Sequence, residues 1–246
     1  MINPNSSPIQ PDPSRLIDKI DLKIPLIGFY DSPDIDPFEP LIRPHKTGHN
    51  CVFAFFKQWL KGKTLHLTKD NYGCGGAGHW ICGLEGRSRE DYLDFLVNTE
   101  GLKSSFELMN KWLDDSKPYN QEHPNILIGP LRKDQYSYLQ TITFYVNPDQ
   151  FSALMIGSEY HASPDDPPAV IAPFGSGCMQ MSALFNDMNS PLAIVGATDI
   201  AARKYIPHDL LAFTVTKSMF EKLCKLDERS FLFKSFWKEL KKSRQV

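Results

Sequence analysis

Three cysteines stand where the local backbone suits chemistry. Cys51 follows Asn50, which can cap a helix, and so marks a helix start. Cys74 lies in Asn71–Gly83, N-Y-G-C-G-G-A-G-H-W-I-C-G, where five of thirteen residues are glycine. Cys178 follows Pro173-Phe-Gly-Ser-Gly177 and opens an expected helix over Met179–Asn186. Unpartnered amide N–H groups gather partial positive charge at such places, which lowers a thiol pKa and favours the thiolate. The thiolate is the form that binds metal or attacks an electrophile. Three thiolates converging on one pocket would suit an iron–sulfur cluster with one open iron, or a zinc or other soft-metal site. Each cysteine taken singly also reads as a small buried side chain where the chain is tight, because free cysteine is among the most buried residue types.

Other residues extend the set. Cys82 is separated from Cys74 by seven residues, which is not a standard ligand spacing; it reads as a variant ligand or as packing beside Trp80. His79, in the same loop, could ligate a metal, act as a base, or sit solvated at the surface. His45 and His49 flank the Cys51 helix start, but Gly48 and Pro44 argue against the helix that would align them. The two glycine loops also have the form of anion cradles. Backbone N–H groups at Gly75 and Gly76, and at Gly175, Ser176 and Gly177, could bind a phosphate or carboxylate. Neither loop matches a Walker or dinucleotide fingerprint. Arg203 and Lys204 could hold an anionic group or be solvated. No Ser-His-Asp pattern, paired-carboxylate motif or H-E-x-x-H occurs.

The elements that must position these residues follow from periodicity and punctuation. Short helices are expected at Leu16–Leu22, from Cys51 to Gly62, at Arg89–Asn98 after Ser88, and from Ser104 or Ser105 to Asp114. Further helices are expected at Gln150–Gly157 after Asn147-Pro148, Asp199–Tyr205, Lys217–Leu226 and Phe231–Lys242. Strands are expected at Pro25–Tyr30, Thr64–Thr68, Asn125–Gly129, Thr141–Val146, Ala169–Ala172, Leu192–Val195 and Leu211–Thr216. Asp31–Asn50 reads as a long irregular loop. This order implies an α+β (mixed α/β) fold with a mixed sheet.

The spacing also suggests a duplication. Cys51 and Cys178 each open a helix, and a strand begins thirteen residues after each, at Thr64 and Pro191. Each strand enters a loop of small residues, Cys74-Gly-Gly-Ala77 or Gly196-Ala-Thr-Asp199. Each half has an upstream strand with an aromatic pair, Phe29-Tyr30 or Phe144-Tyr145. Two βαβ-like halves, about 16–125 and 126–246, would then face each other within a single domain over 16–246, and sites often lie between such halves.

Composition sets outer bounds. The 246 residues carry a net charge of −2, which gives no reason to expect nucleic acid, and no apolar run reaches membrane-spanning length. Met1–Arg15 is polar and proline-rich and reads as a flexible arm rather than a signal peptide. Five cysteines, an odd number, make a disulfide framework a poor fit and a reducing cytoplasm the better expectation.

In their order, several segments resemble one family. They are Cys51 at its helix start, Cys74-Gly-Gly-Ala77 after a strand, Ile128-Gly-Pro-Leu131 and Asn147-Pro148 before a helix. The glycine loop before Cys178 and Leu211-Ala-Phe-Thr-Val-Thr-Lys-Ser-Met-Phe220 complete the set. Together they resemble the prokaryotic domain of unknown function 169 family across roughly residues 16–226. The resemblance implies a fold grouping and a set of cysteines, not a reaction. The family pattern can carry a further cysteine after the last repeat strand, where this chain has Val195-Gly-Ala-Thr-Asp199. Cys82 and Cys224 fall outside the pattern.

The leading expectation is therefore a cytoplasmic metal- or iron–sulfur-binding protein. Cys51, Cys74 and Cys178 would be its ligands, with Cys82 or His79 as the fourth, and its role would be redox enzyme or cofactor carrier. A binding module for a small anionic ligand is the alternative, and a non-catalytic interaction subunit the third reading. A small-molecule partner fits the first two, and a homo-oligomer is compatible with all three.

Overall fold

The computed structural model describes residues 11–44, 51–68, 70–71, 74, 88–115, 119–172, 178 and 192–244. Eight strands form one sheet: β1 Ile27–Ser32, β2 Leu41–Ile42, β3 Thr64–Leu67, β4 Asn125–Pro130, β5 Leu139–Val146, β6 Val170–Ile171, β7 Ala193–Gly196 and β8 Leu211–Thr216. The described α-helices are α1 Ser14–Ile20, α2 Phe56–Trp59, α3 Arg89–Asp94, α4 Phe106–Asp115, α5 Pro148–Glu159, α6 Ile200–Arg203, α7 Lys217–Cys224 and α8 Ser235–Ser243. The fold is α+β, as the alternation of elements implies. None of the described helices is long and apolar enough to cross a membrane.

Local chemistry fixes most helix starts. Asn147 and Gln150 form a reciprocal capping box, and Pro148 occupies the first turn of α5, where a missing N–H costs nothing. The Ser88 hydroxyl accepts from the Asp91 amide to start α3, and Ser105 Oγ accepts from the Leu108 amide at the start of α4. Thr216 does the same for α7 through the Met219 amide. The expected helix from Cys51 is realised in two parts, a 3₁₀ turn over Val52–Phe55 followed by α2. Arg89–Asn98 likewise begins as α3 and widens into a π turn over Phe95–Thr99.

The sheet order is β2-β3-β4-β1-β5-β8-β7-β6. β2 pairs parallel with β3, and β6 parallel with β7; every other neighbour is antiparallel. The pattern is the same read from the β1–β5 junction in either direction. β1 answers to β5, β4 to β8, β3 to β7 and β2 to β6. An approximate twofold axis normal to the sheet between β1 and β5 relates the halves, because only that axis exchanges antiparallel neighbours while keeping each face on its own side. In this order β4 groups with β1–β3 and β8 with β5–β7.

This arrangement positions the cysteines. The parallel pairs must be joined by crossovers, and such crossovers share one hand. Under an axis normal to the sheet, both fall on the same face. Cys51 lies in the first crossover and Cys178 in the second. Both belong to the core on that face, with Phe29, Val52, Phe53, Phe56, Trp59, Leu65, Leu67, Ile126, Ile128 and Tyr145. The opposite face carries α1, α5, α7 and α8 over Tyr30, Leu127, Ile142, Phe144, Phe213 and Val215. Alternation along β5 divides the two: Tyr145 faces one core, Phe144 and Val146 the other.

His66 alternates with Leu65 and Leu67 on β3 and so points away from the thiols. It is buried, and its Nε2 stands 2.9 Å from Asn125 Oδ1. The Asn125 amide nitrogen donates to the Ser32 and Pro33 carbonyls, so its oxygen accepts and Nε2 carries the proton. Burial first, then the Arg43 charge, outweigh that hydrogen bond and hold the imidazole pKa below its ordinary 6.5. The unfolded chain therefore takes up a proton before the folded one does. Stability is full above pH ~6.5 and is lost below it, by up to about 1.4 kcal/mol per pH unit, until the folded His66 itself titrates. Urea unfolding at pH 7.5 and 5.5 should show this loss in the wild type and a smaller one in His66→Gln. Equal pH dependence in the two proteins would refute the assignment.

Candidate functional site

The floor of the thiol-bearing face is built from the central strands. Tyr145 on β5 opposes Ala212 on β8, and Thr143 opposes Thr214, whose hydroxyl oxygens lie 2.8 Å apart. All four are buried. The small Ala212 beside Tyr145 leaves the ring to be packed from one side, where Phe56 meets it edge-on at 4.8 Å between centroids and Trp59 lies at 6.2 Å. The Tyr145 hydroxyl is fully buried and has no hydrogen-bond partner among the described residues; the indole N–H of Trp59 is in the same position. An orphaned polar group of this kind ordinarily costs about 1–3 kcal/mol. Burial above all pushes the phenol pKa well above its ordinary value, so the hydroxyl keeps its proton.

Cys51 stands at the start of the Val52–Phe55 turn with extended backbone angles, φ −68° and ψ 133°. The Phe53 and Ala54 amides lie near the sulfur and favour its thiolate, but neither caps it: the Ala54 N–H donates to the Cys51 carbonyl at 3.0 Å. The consequence for acidity is nevertheless the reverse of the expectation. Burial outweighs the two amides, negative charge at Cys74 and Asp199 adds to it, and the Cys51 pKa is pushed up to about 11. A thiol walled in by Phe53, Phe56 and Trp59 loses more by giving up hydration than two N–H dipoles return. Cys51 is thus a protonated thiol at neutral pH, and any metal binding there would release a proton.

Cys74 is half-buried and packs against the same core. Cys178 is buried within it. Their mutual proximity is read from shared neighbours. Cys74 acts electrostatically on Cys51; Cys178 and Cys74 both act on Tyr92; Cys178 and Cys51 both act on Tyr145. Cys51 and Cys178 thus share one core cluster, and Cys74 packs against it. Among the described residues, however, no three His, Cys, Asp or Glu side chains stand close enough together to hold one metal ion.

Sequence reasoning missed Tyr92, Tyr145 and Asp199. Tyr92, on α3, packs against the thiol core, and burial with the Cys178 and Cys74 charges raises its pKa. Asp199 caps α6 by accepting from the Ala201 amide at 2.8 Å and reaches Cys51 and Tyr92 electrostatically. It follows β7 as Cys74 follows β3, so each half supplies one crossover cysteine and one acidic or thiol group from the next loop. The halves' common ending, a strand entering a small-residue loop, was the available signal for Asp199.

Other candidates have different roles. Arg203, which reads from sequence as an anion holder or a solvated cation, directs its guanidinium to the carbonyls of Ala197, Pro207, His208 and Leu210. It ties the β7–β8 connection together. Lys204 stands 5.0 Å from the Tyr205 ring centroid. Cys224 lies across the sheet in the second core, where burial pushes its pKa up to about 12. Cys82, His79, Gly75, Gly76, Gly175, Ser176 and Gly177 lie outside the described residues, as do His45, His49 and the expected helix Met179–Asn186.

A sequence profile described as an uncharacterised ArCR, domain of unknown function 169, matches residues 15–225. Neither a curated protein nor a solved structure matches the chain.

Proposed function

The chain belongs to the domain of unknown function 169 family, an uncharacterised one, and we propose that it binds an iron–sulfur cluster between its two crossovers. Cys51, Cys74 and Cys178 would be the ligands. The observation that supports this reading is that Cys51 and Cys178 share one core cluster and Cys74 packs against it.

A cluster asks less close approach of the three thiols than a single zinc does. Four sulfurs around one zinc at bonds near 2.3 Å lie only about 3.8 Å apart. Among the described residues no three His, Cys, Asp or Glu side chains are placed to hold one metal ion. Ligands of a cubane sit on separate irons, so their sulfurs stand roughly 6–7 Å apart and need only share a region. When bound, the cluster supplies one-electron exchange or, at an iron without a cysteine ligand, a Lewis acid. The chain's own part would be to exclude water with Phe53, Phe56 and Trp59 and to present the three thiols, whose protons would leave to solvent on binding.

Anaerobic purification or reconstitution with ferrous iron and sulfide should give a brown protein with near-stoichiometric iron and sulfide. Cys74→Ala should lose at least nine-tenths of the iron while keeping its fold by circular dichroism; this half-buried position tolerates a methyl. Wild-type protein that stays colourless and iron-free after reconstitution would end the reading.

A further inference from the structure

We propose that the outward side of α8 docks on an anionic lipid surface, held by Lys234, Lys238 and Lys242, with Phe236 entering the headgroup layer. The inference does not depend on the iron–sulfur reading. Three observations support it. Residues 234–244, K-S-F-W-K-E-L-K-K-S-R, hold five cations and one anion, a net charge of +4 in a chain whose total is −2. Phe236 is 83% exposed, more than any other large apolar side chain among the described residues. The segment follows residues 15–225, the stretch that the family profile matches, and so adds to the family's common part.

The fold fixes which side of α8 faces out. The Trp237 indole N–H donates to the Lys19 carbonyl at 2.8 Å, and Leu240 packs against the same core. The Arg244 guanidinium reaches Asp149 at 2.8 Å and neutralises that carboxylate. A helix turns about 100° per residue. Lys238 and Lys242, with Lys234 one turn before them, therefore run along one shoulder of the solvent side, and Phe236 stands on the other. Glu239 lies between. These five side chains are exposed, and none of the three lysines is in an ion pair among the described residues. Lysine heads hold anionic headgroups by charge, and an aromatic ring with no pocket around it leaves water by entering an apolar layer. A convex helix offers no basic groove of the kind that tracks a nucleic-acid strand. With nine residues α8 is too short to span, so docking is peripheral.

The test is cosedimentation of the full chain with vesicles of phosphatidylcholine, alone or mixed in equal parts with phosphatidylserine. Wild type should pellet with the mixed vesicles at low salt. It should stay in solution with phosphatidylcholine alone, or at ~1 M salt, where charges are screened within about 3 Å. Lys234→Gln, Lys238→Gln and Lys242→Gln together should weaken binding about 100-fold, roughly fivefold for each lysine. The same change at Lys57, Lys61 and Lys111, exposed lysines on or beside α2 and α4, should weaken it far less. Phe236→Ser should weaken it about tenfold, and Glu239→Gln should strengthen it. All substituted side chains are exposed, so melting temperatures should stay at the wild-type value. Wild type that ignores phosphatidylserine overturns the proposal, as does a Lys234, Lys238 and Lys242 variant that binds like wild type. An equal loss in the Lys57, Lys61 and Lys111 variant overturns it by reducing the effect to net charge. Tighter binding to duplex DNA than to the mixed vesicles, through the same three lysines and without Phe236, overturns it in favour of nucleic acid.

Discussion

Asp31→Ala should cost the folded state about 3–5 kcal/mol, a large share of the 5–15 kcal/mol typical of a domain. Asp31 has no exposed surface. Its Oδ2 accepts from the Tyr119 hydroxyl at 2.6 Å and the Glu122 amide at 2.7 Å, while Oδ1 accepts from the His123 amide at 2.8 Å. Alanine leaves three donors facing a void, each losing a charge-assisted bond. The loss also propagates. These bonds fasten residues 119–123 to the end of β1, and Tyr119 packs edge-on against Phe29 at 5.3 Å in the core that holds the thiols. Asp31→Asn keeps the shape and one acceptor but sets an NH₂ group against an N–H, so it should fall between alanine and wild type. Urea unfolding followed by tryptophan fluorescence measures both. A loss below about 1 kcal/mol for Asp31→Ala would contradict the account of a satisfied, structurally required carboxylate.

Gly129→Ala is the second large effect. A Cβ at this position would stand 2.6 Å from Thr64 Oγ1, 2.8 Å from Thr64 Cα and 2.9 Å from Thr64 Cβ. The Thr64 main chain cannot rotate away, so β3 must part from β4. Overpacking of this kind costs about 1–3 kcal/mol, occasionally more. Thr64→Ala in the same chain should recover little, because trimming the side chain leaves the main-chain clash in place. Gly157→Ala is the useful contrast. Its new methyl would meet only the tips of Leu223 and Leu226, at 3.0 and 3.1 Å, and side-chain tips can yield. Melting temperatures should rank Gly157→Ala above Gly129→Ala; the reverse order would refute the clash with the Thr64 backbone. A shifted β3 also drags Leu65 and Leu67 within the core that holds Cys51 and Cys178.

Most elements are legible in the sequence because each is announced locally. Asn147-Pro148 with Gln150 is a complete helix-start signal, and α5 begins there. Leu211–Thr216 reads as a buried strand and is one. The suggested repeat rests on spacing, Cys51 to Thr64 and Cys178 to Pro191, and on the mirrored strand order. β2 escapes because two residues of strand, between a proline-rich turn and a loop, have no period to detect. The acidity of Cys51 is misjudged from sequence for a different reason. The amides that would lower its pKa are local and visible there, whereas Phe56 and Trp59 matter through burial, which only the fold reveals. Tyr145 is visible as half of an aromatic pair, but the face it takes depends on strand register. Arg203 reads as a free cation because nothing in sequence shows four carbonyls closing around it.

The outermost strands, Leu41–Ile42 and Val170–Ile171, bear on how this molecule keeps to itself. Each pairs inward along two residues only, so a stranger approaching either rim finds almost no backbone to dock against. Templated growth of the sheet into fibres is thereby denied a starting point at both margins, although the interior strands are long, apolar and β-branched enough to feed it.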